Sequence, residues 1–150
     1  MYDRVLVPTD GSTASEDAIE HAIDLAAKYG ATLHALYVVD AGTYSSLEAA
    51  ADVVADELRA EGTEAVEAIA AQAEDAGVTA ETAIETGIVH RSIVDYVDNE
   101  DIDLVVMGTH GRTGVGRFLL GSVAEKVIRT ADAPVMTVRA TDAETDDAEE

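Results

Sequence analysis

From residue 108 the sequence reads Gly108-Thr-His110-Gly111-Arg112-Thr-Gly114-Val-Gly116-Arg117-Phe-Leu-Leu-Gly121-Ser122. Five of the chain's eleven glycines fall in this short run, and glycine both permits positive φ and lets a backbone come close to a ligand. The run leaves the apolar stretch Leu104 to Met107 and delivers the chain to Ser122, where helical periodicity begins. A helix start offers unpaired N–H groups and a partial positive charge, which is the chemistry of phosphate recognition. Arg112 adds a guanidinium fork and Ser122 a hydroxyl. Charge points the same way. From Leu104 to Thr130 one acid, Glu125, stands against Arg112, Arg117, Lys126 and Arg129, in a chain holding 31 acids. An acid-poor window in so acidic a protein suits an anionic ligand or a covering partner.

A purely structural reading of the same residues remains open at this level. Ser122 with Glu125 has capping-box spacing, glycines can serve loop flexibility alone, and the bases can pair with acids elsewhere. Other sites are excluded by pattern. No Gly-Lys-Ser/Thr of a Walker loop is present, and the glycines do not form G-x-G-x-x-G after a first strand. His21, His34, His90 and His110 lack metal-ligand spacing, and no Gly-x-Ser-x-Gly elbow or nucleophile–base set is visible.

The elements that would position this loop follow from periodicity. Val5-Leu6-Val7, ending at Pro8, reads as a strand buried on both faces. Thr13 and Glu16 have the spacing of a capping box, and Ala18, Ile19, Ala22, Ile23, Leu25 and Ala26 continue a helix that Gly30 stops. Leu33 to Val39 is a second strand. An Ala-rich amphipathic helix runs from about Ser46 to Ala76, with Leu47, Val54, Leu58, Val66 and Ile69 as apolar positions; Gly62 is expected to loosen its middle. Thr79 to Thr86 is a third strand near an edge, His90 to Asn99 a helix, Leu104 to Met107 a fourth strand, Ser122 to Thr130 a helix, and Val135 to Val138 a last strand. Strict alternation of this kind predicts a doubly wound parallel α/β sheet, with ligands outside the carboxyl ends of its strands.

Length and charge set the outer limits. The 150 residues suit one domain, residues 1–140, and the acidic segment 141–150 is expected to be a disordered tail. No apolar run approaches the ~20 residues of a membrane span. Met1 to Arg4 lead straight into the first strand, so no signal peptide is expected; cysteine is absent, and a cytoplasmic protein is the plain expectation. A net charge of −22 disfavours nucleic acid and anionic membranes as partners, and it suggests a salt-rich, halophilic cytoplasm. A merely acidic protein of an ordinary cytoplasm is the alternative.

Gly108-x2-Gly111-x9-Gly121-Ser122 resembles the ATP-binding signature of the universal stress protein family. Val5 to Ser12 is similar to the family's first strand and turn, Leu36 to Asp40 to its second strand, and Ala133-Pro134-Val135 to its last. The resemblance runs from Val5 to Val138. It implies a Rossmann-like five-stranded sheet ordered 3-2-1-4-5. It implies that Pro8, Thr9, Asp10 and Val38 surround adenine and ribose, with Asp10 accepting from ribose hydroxyls. Met107 and Gly108 would lie against the nucleoside, and Gly111, Arg112, Gly121, Ser122 and Val123 would hold the triphosphate. Any Mg²⁺ would arrive with the phosphates of ATP. Two positions depart from the family's pattern: Val89 stands where many relatives carry Pro, and Ala124 lacks a hydroxyl that some place there.

The resemblance also implies a homodimer paired through the last strand, Val135 to Arg139. The function it implies is a regulatory or protective ATP-binding stress protein acting on protein partners that the sequence does not name. A slow ATPase or phosphotransferase, and an interaction module that makes no use of nucleotide, are the other readings. Binding ATP does not by itself establish turnover.

Overall fold

Branched apolar residues in short runs form the centre of the sheet, and the alternation of their side chains creates two separate cores. The computed structural model describes residues 1–40, 51–110 and 120–140. Strands β1 (Arg4–Thr9), β2 (Thr32–Asp40), β3 (Ala80–Gly87), β4 (Leu104–Gly108) and β5 (Val135–Val138) form one sheet, and every pairing in it is parallel. Its order is β3-β2-β1-β4-β5, as the family resemblance implies. Helices α1 (Glu16–Tyr29), α2 (Ala51–Asp75), α3 (Val89–Asn99) and α4 (Ser122–Thr130) join the strands.

On one face, Val5, Val7, Leu33, Ala35, Tyr37, Val39, Leu104 and Val106 pack against Ala18, Ile19, Ala22 and Ile23 of α1 and Val66, Ile69 and Ala73 of α2. The other face sends Leu6, Leu36, Val105 and Met107 towards Ile93, Tyr96 and Val97 of α3 and Ala124 and Val127 of α4. A sheet covered on both sides needs strands apolar at successive positions. Val5, Leu6 and Val7 are accordingly all fully buried.

Local expectations fare unevenly. The N-cap of α1, Ser15, makes no side-chain capping bond, and Thr13–Ser15 form a short 3₁₀ turn instead of the capping box expected of Thr13 and Glu16. The Ser122–Glu125 box is likewise absent, because the N-cap of α4 is Gly121, and Glu125 pairs with Arg129 at 3.0 Å. Gly62 does not loosen α2, which is continuous through it. The Tyr37 ring lies where a Cβ of residue 62 would be, so this glycine admits the ring. Gly30 does terminate α1, in a left-handed conformation with φ 67°. Leu47, the start expected near Ser46 and the acidic segment 141–150 lie outside the described residues. Among those described, no helix is long and apolar enough to cross a membrane.

Candidate functional site

β1 and β4 lie side by side, Val5 beside Leu104 and Leu6 beside Val105. From β1 the chain leaves towards β2; from β4 it leaves towards β5. Loops that diverge at such a switch point leave a crevice at the carboxyl ends of the strands.

The loop after β1 is held by a relay of hydroxyl groups. The Gly11 amide donates to Thr9 Oγ1 at 3.0 Å, the Thr9 and Ser15 hydroxyls meet at 3.0 Å, and Ser15 Oγ donates to the Ser12 carbonyl at 2.9 Å. With the Ser15 proton given to Ser12, the Thr9 hydroxyl is the donor between the two. Asp10 is held in turn: its Oδ1 accepts from the Ser12 amide at 2.9 Å and from Ser12 Oγ at 2.5 Å. A short polar loop thereby aims one carboxylate at the crevice.

The loop after β4 reaches the same place by close backbone contact. A Cβ on Gly108 would sit 3.2 Å from the Ala14 carbonyl, so glycine is what lets the end of β4 lie against the loop after β1. Thr109 donates its amide to the Val138 carbonyl of β5 at 3.1 Å and accepts from the Gly121 amide at 2.7 Å. A Cβ on Gly121 would stand 2.8 Å from that Thr109 oxygen. These contacts deliver α4 to the crevice with its N-terminus uncapped by any side chain among the described residues. The Ser122, Val123 and Ala124 amides are the groups that a helix leaves without intrahelical acceptors.

Between the loops lies a cavity of about 400 Å³, within the ordinary range for small-molecule sites. Nine expected residues line it: Pro8, Thr9, Asp10, Val38, Met107, Gly108, Gly121, Ser122 and Val123. The other two, Gly111 and Arg112, lie outside the described residues. Sequence reasoning did not assign an apolar wall to Leu36 of β2, Leu58 of α2 and Ile93 of α3, all of which line the cavity. Their spacing marked them as core; that they reach the end of the sheet depends on how the helices dock.

Val89, at the expected Pro position, opens α3 and lines the cavity too. The first position of a helix suits either residue. Ala124 is packed in the core at the same mouth. His110 also lines it. Its Nδ1 lies 3.1 Å from Thr109 Oγ1, while Nε2 is enclosed with no partner among the described residues. Buried polar atoms in this condition are rare, and a ligand or water commonly satisfies them. Among the described residues no group of three His, Cys, Asp or Glu side chains is arranged to hold a metal ion.

One side of this cavity is suited to an apolar ring, another to an anion. Residues 1–139 match the sequence profile of the Universal stress protein family. The chain belongs to that family. A universal stress protein of Methanocaldococcus jannaschii is 40% identical over 141 residues, covering 93% of this chain and 83% of the relative. Among solved structures, universal stress protein UspA from Lactobacillus plantarum superposes with TM-score 0.84 at 30% identity, covering 92% of this chain and 98% of its own. A universal stress protein in complex with cAMP superposes with TM-score 0.72 at 26% identity, covering 93% of this chain and 98% of its own. The doubly wound sheet with its switch-point cavity is thus the universal stress protein fold.

Proposed function

We propose that this universal stress protein binds ATP in the switch-point cavity and works as a nucleotide-dependent regulatory or protective protein. The observation that carries the reading is the N-terminus of α4, uncapped among the described residues, opening into a cavity with an apolar wall on its other side. Helix amides and an apolar slot at one site match the two halves of a nucleotide. The related protein in complex with cAMP supports an adenine nucleotide in particular.

Pro8, Thr9 and Val38 would enclose adenine and ribose together with Leu36 and Ile93, and Asp10 would accept from ribose hydroxyls. Met107 and Gly108 would lie against the nucleoside. Gly111, Arg112, Gly121, Ser122 and Val123 would hold the phosphates, through amides, one hydroxyl and one guanidinium. Mg²⁺ would enter with the phosphates rather than at a protein-built site. β5 is an edge strand, and pairing of Val135 to Arg139 with the same segment of a second copy would cover that edge. A cytoplasmic location accords with this role. The acidic segment 141–150 would remain a separate appendage to the 1–140 domain.

The deciding experiment is mass spectrometry of ligand carried through native purification in high salt, followed by calorimetry with ATP. An adenine nucleotide released on denaturation, and measurable ATP binding by the emptied protein, are expected. No released nucleotide and no heat of binding would sink the reading. Steady phosphate release, lost in Ser122→Ala while ATP still binds, would instead place the protein among slow ATPases.

A further inference from the structure

β2 outruns β1 at the cavity. β1 is in register with β2 from Arg4 beside Thr32 to Thr9 beside Tyr37, and there the pairing ends. On its other edge β2 stays paired with β3 as far as Asp40 beside Gly87. Along a strand, the amide and carbonyl of one residue point to one edge and those of the next residue to the other. The Thr32 amide donates to the Asp3 carbonyl on the β1 side, and the Leu33 amide to the Thr79 carbonyl on the β3 side, both at 2.9 Å. Counted on in twos from Thr32, the backbone groups of Val38 face the β1 side, and Val38 lines the cavity.

The same register would bring the Gly11 amide to the Val38 carbonyl as the next bond of the ladder. That bond is not made. The Gly11 amide donates instead to Thr9 Oγ1 at 3.0 Å, and Gly11 turns off the line of the strand at φ 81°. Thr9 Oγ1 is held for this role: it is buried and gives its proton to Ser15 Oγ at 3.0 Å, which leaves its lone pairs for the amide. Among the described residues no other turn or loop amide reaches the Val38 carbonyl. This carbonyl therefore stands as an acceptor in a cavity whose apolar wall includes Leu36, Leu58 and Ile93. A backbone carbonyl can accept a hydrogen bond and never donate one.

We propose that the Thr9 hydroxyl, by capturing the Gly11 amide, keeps the Val38 carbonyl open to the ligand and so makes the cavity selective for a base that carries an amino group. The amino group of adenine donates to such a carbonyl. A base with only hydrogen at that position leaves the carbonyl unpaired beside an apolar wall, and an unpaired buried acceptor costs binding energy. Thr9 acts through Gly11 and Val38, and in this it is a positioning residue. The inference deepens the nucleotide-binding reading given above and rests on it.

Calorimetry with ATP and with purine riboside triphosphate, the same molecule without the amino group, tests it. The wild type should bind ATP at least about tenfold more tightly than the analogue. In Thr9→Val the Gly11 amide is released to the Val38 carbonyl, and the ratio of the two affinities should fall to about one. Thr9→Ser, which restores the hydroxyl, should restore the ratio. A structural role for Thr9 alone would weaken both ligands alike and leave the ratio as in wild type. A ratio near one in wild type, or a ratio unchanged by Thr9→Val, overturns the inference and leaves nucleotide binding standing. If Thr9→Val fails to fold, ¹³C placed at the Val38 carbonyl of the wild type gives a second reading. ATP should shift its resonance downfield and the analogue should not; equal shifts overturn the inference. Absence of ATP binding by the wild type overturns the nucleotide reading, and the inference falls with it.

Discussion

The Gly121 amide donates to the Thr109 carbonyl at 2.7 Å, fastening the start of α4 to the residue that follows β4. The bond holds the start of α4 beside the end of β4, and it sets the position from which the α4 amides face the cavity. A side chain at 121 cannot be accommodated, because its Cβ would stand 2.8 Å from that carbonyl oxygen and 3.3 Å from His110 Cα. Both are backbone atoms with little room to give.

Gly121→Ala should therefore lower stability by about 1–3 kcal/mol, the usual penalty of overpacking. Affinity for ATP should fall by at least about tenfold, since a displacement of 1.4 kcal/mol or more in binding energy corresponds to that factor. Gly30→Ala is the control. It forces an alanine into φ 67° at the end of α1, just before the amino end of β2 and so at the opposite end of the sheet from the cavity, and it should lower the urea midpoint and leave ATP affinity unchanged.

Gly62→Ala separates helix propensity from packing. In an exposed helix the change would stabilise by about 1 kcal/mol. Here the Tyr37 ring occupies the space, so the variant should melt below wild type. In a Tyr37→Ala background the same substitution should raise the melting temperature. A stabilising effect in the wild-type background would show that the ring moves aside at little cost.

Stability should fall on the acid side of neutrality. His34 is held below the ordinary histidine value, chiefly by burial, so the unfolded chain takes up its proton first as pH falls. The stability associated with the neutral ring is fully present above about pH 6.5. It is lost as pH falls below that value, and the loss is complete only beneath the lower folded pKa. Urea unfolding between pH 8 and 5 should show a steeper decline in wild type than in His34→Gln.

High salt should stabilise the protein. A net charge of −22 on 150 residues makes the folded state self-repelling, and screening shortens the reach of that repulsion to about 3 Å at 1 M salt. The melting temperature should rise between dilute buffer and molar KCl, as a salt-rich cytoplasm would require. Equal or lower stability in KCl would remove the halophilic reading.

Much of the fold was open to inspection in the chain itself. Val5 to Val7, Leu104 to Met107 and Val135 to Val138 are apolar runs too short for helices, and helical spacing separates them. Alternation of the two periods leaves a parallel doubly wound sheet as the consistent solution. The glycine-rich half of the candidate site was legible for a similar reason. Glycines, a helix start and a scarcity of acids are all local properties, and they coincide between Gly108 and Ser122.

Other features depended on residues distant in sequence. Gly62 reads as a weak point in a helix until the Tyr37 ring is seen to fill its space. Ser122 and Glu125 have the spacing of a cap, but the backbone at Gly121 makes the turn and Arg129 takes the glutamate. The cavity's apolar wall could not be read from spacing, since Leu36, Leu58 and Ile93 carry the same pattern as any core residue. Nor could the bond between His34 and Tyr96, which are 62 positions apart. Periodicity records which side of an element avoids water, and so determined the elements and their order. Which buried groups meet is decided by the docking of helices on the sheet, and only the tertiary structure contains that.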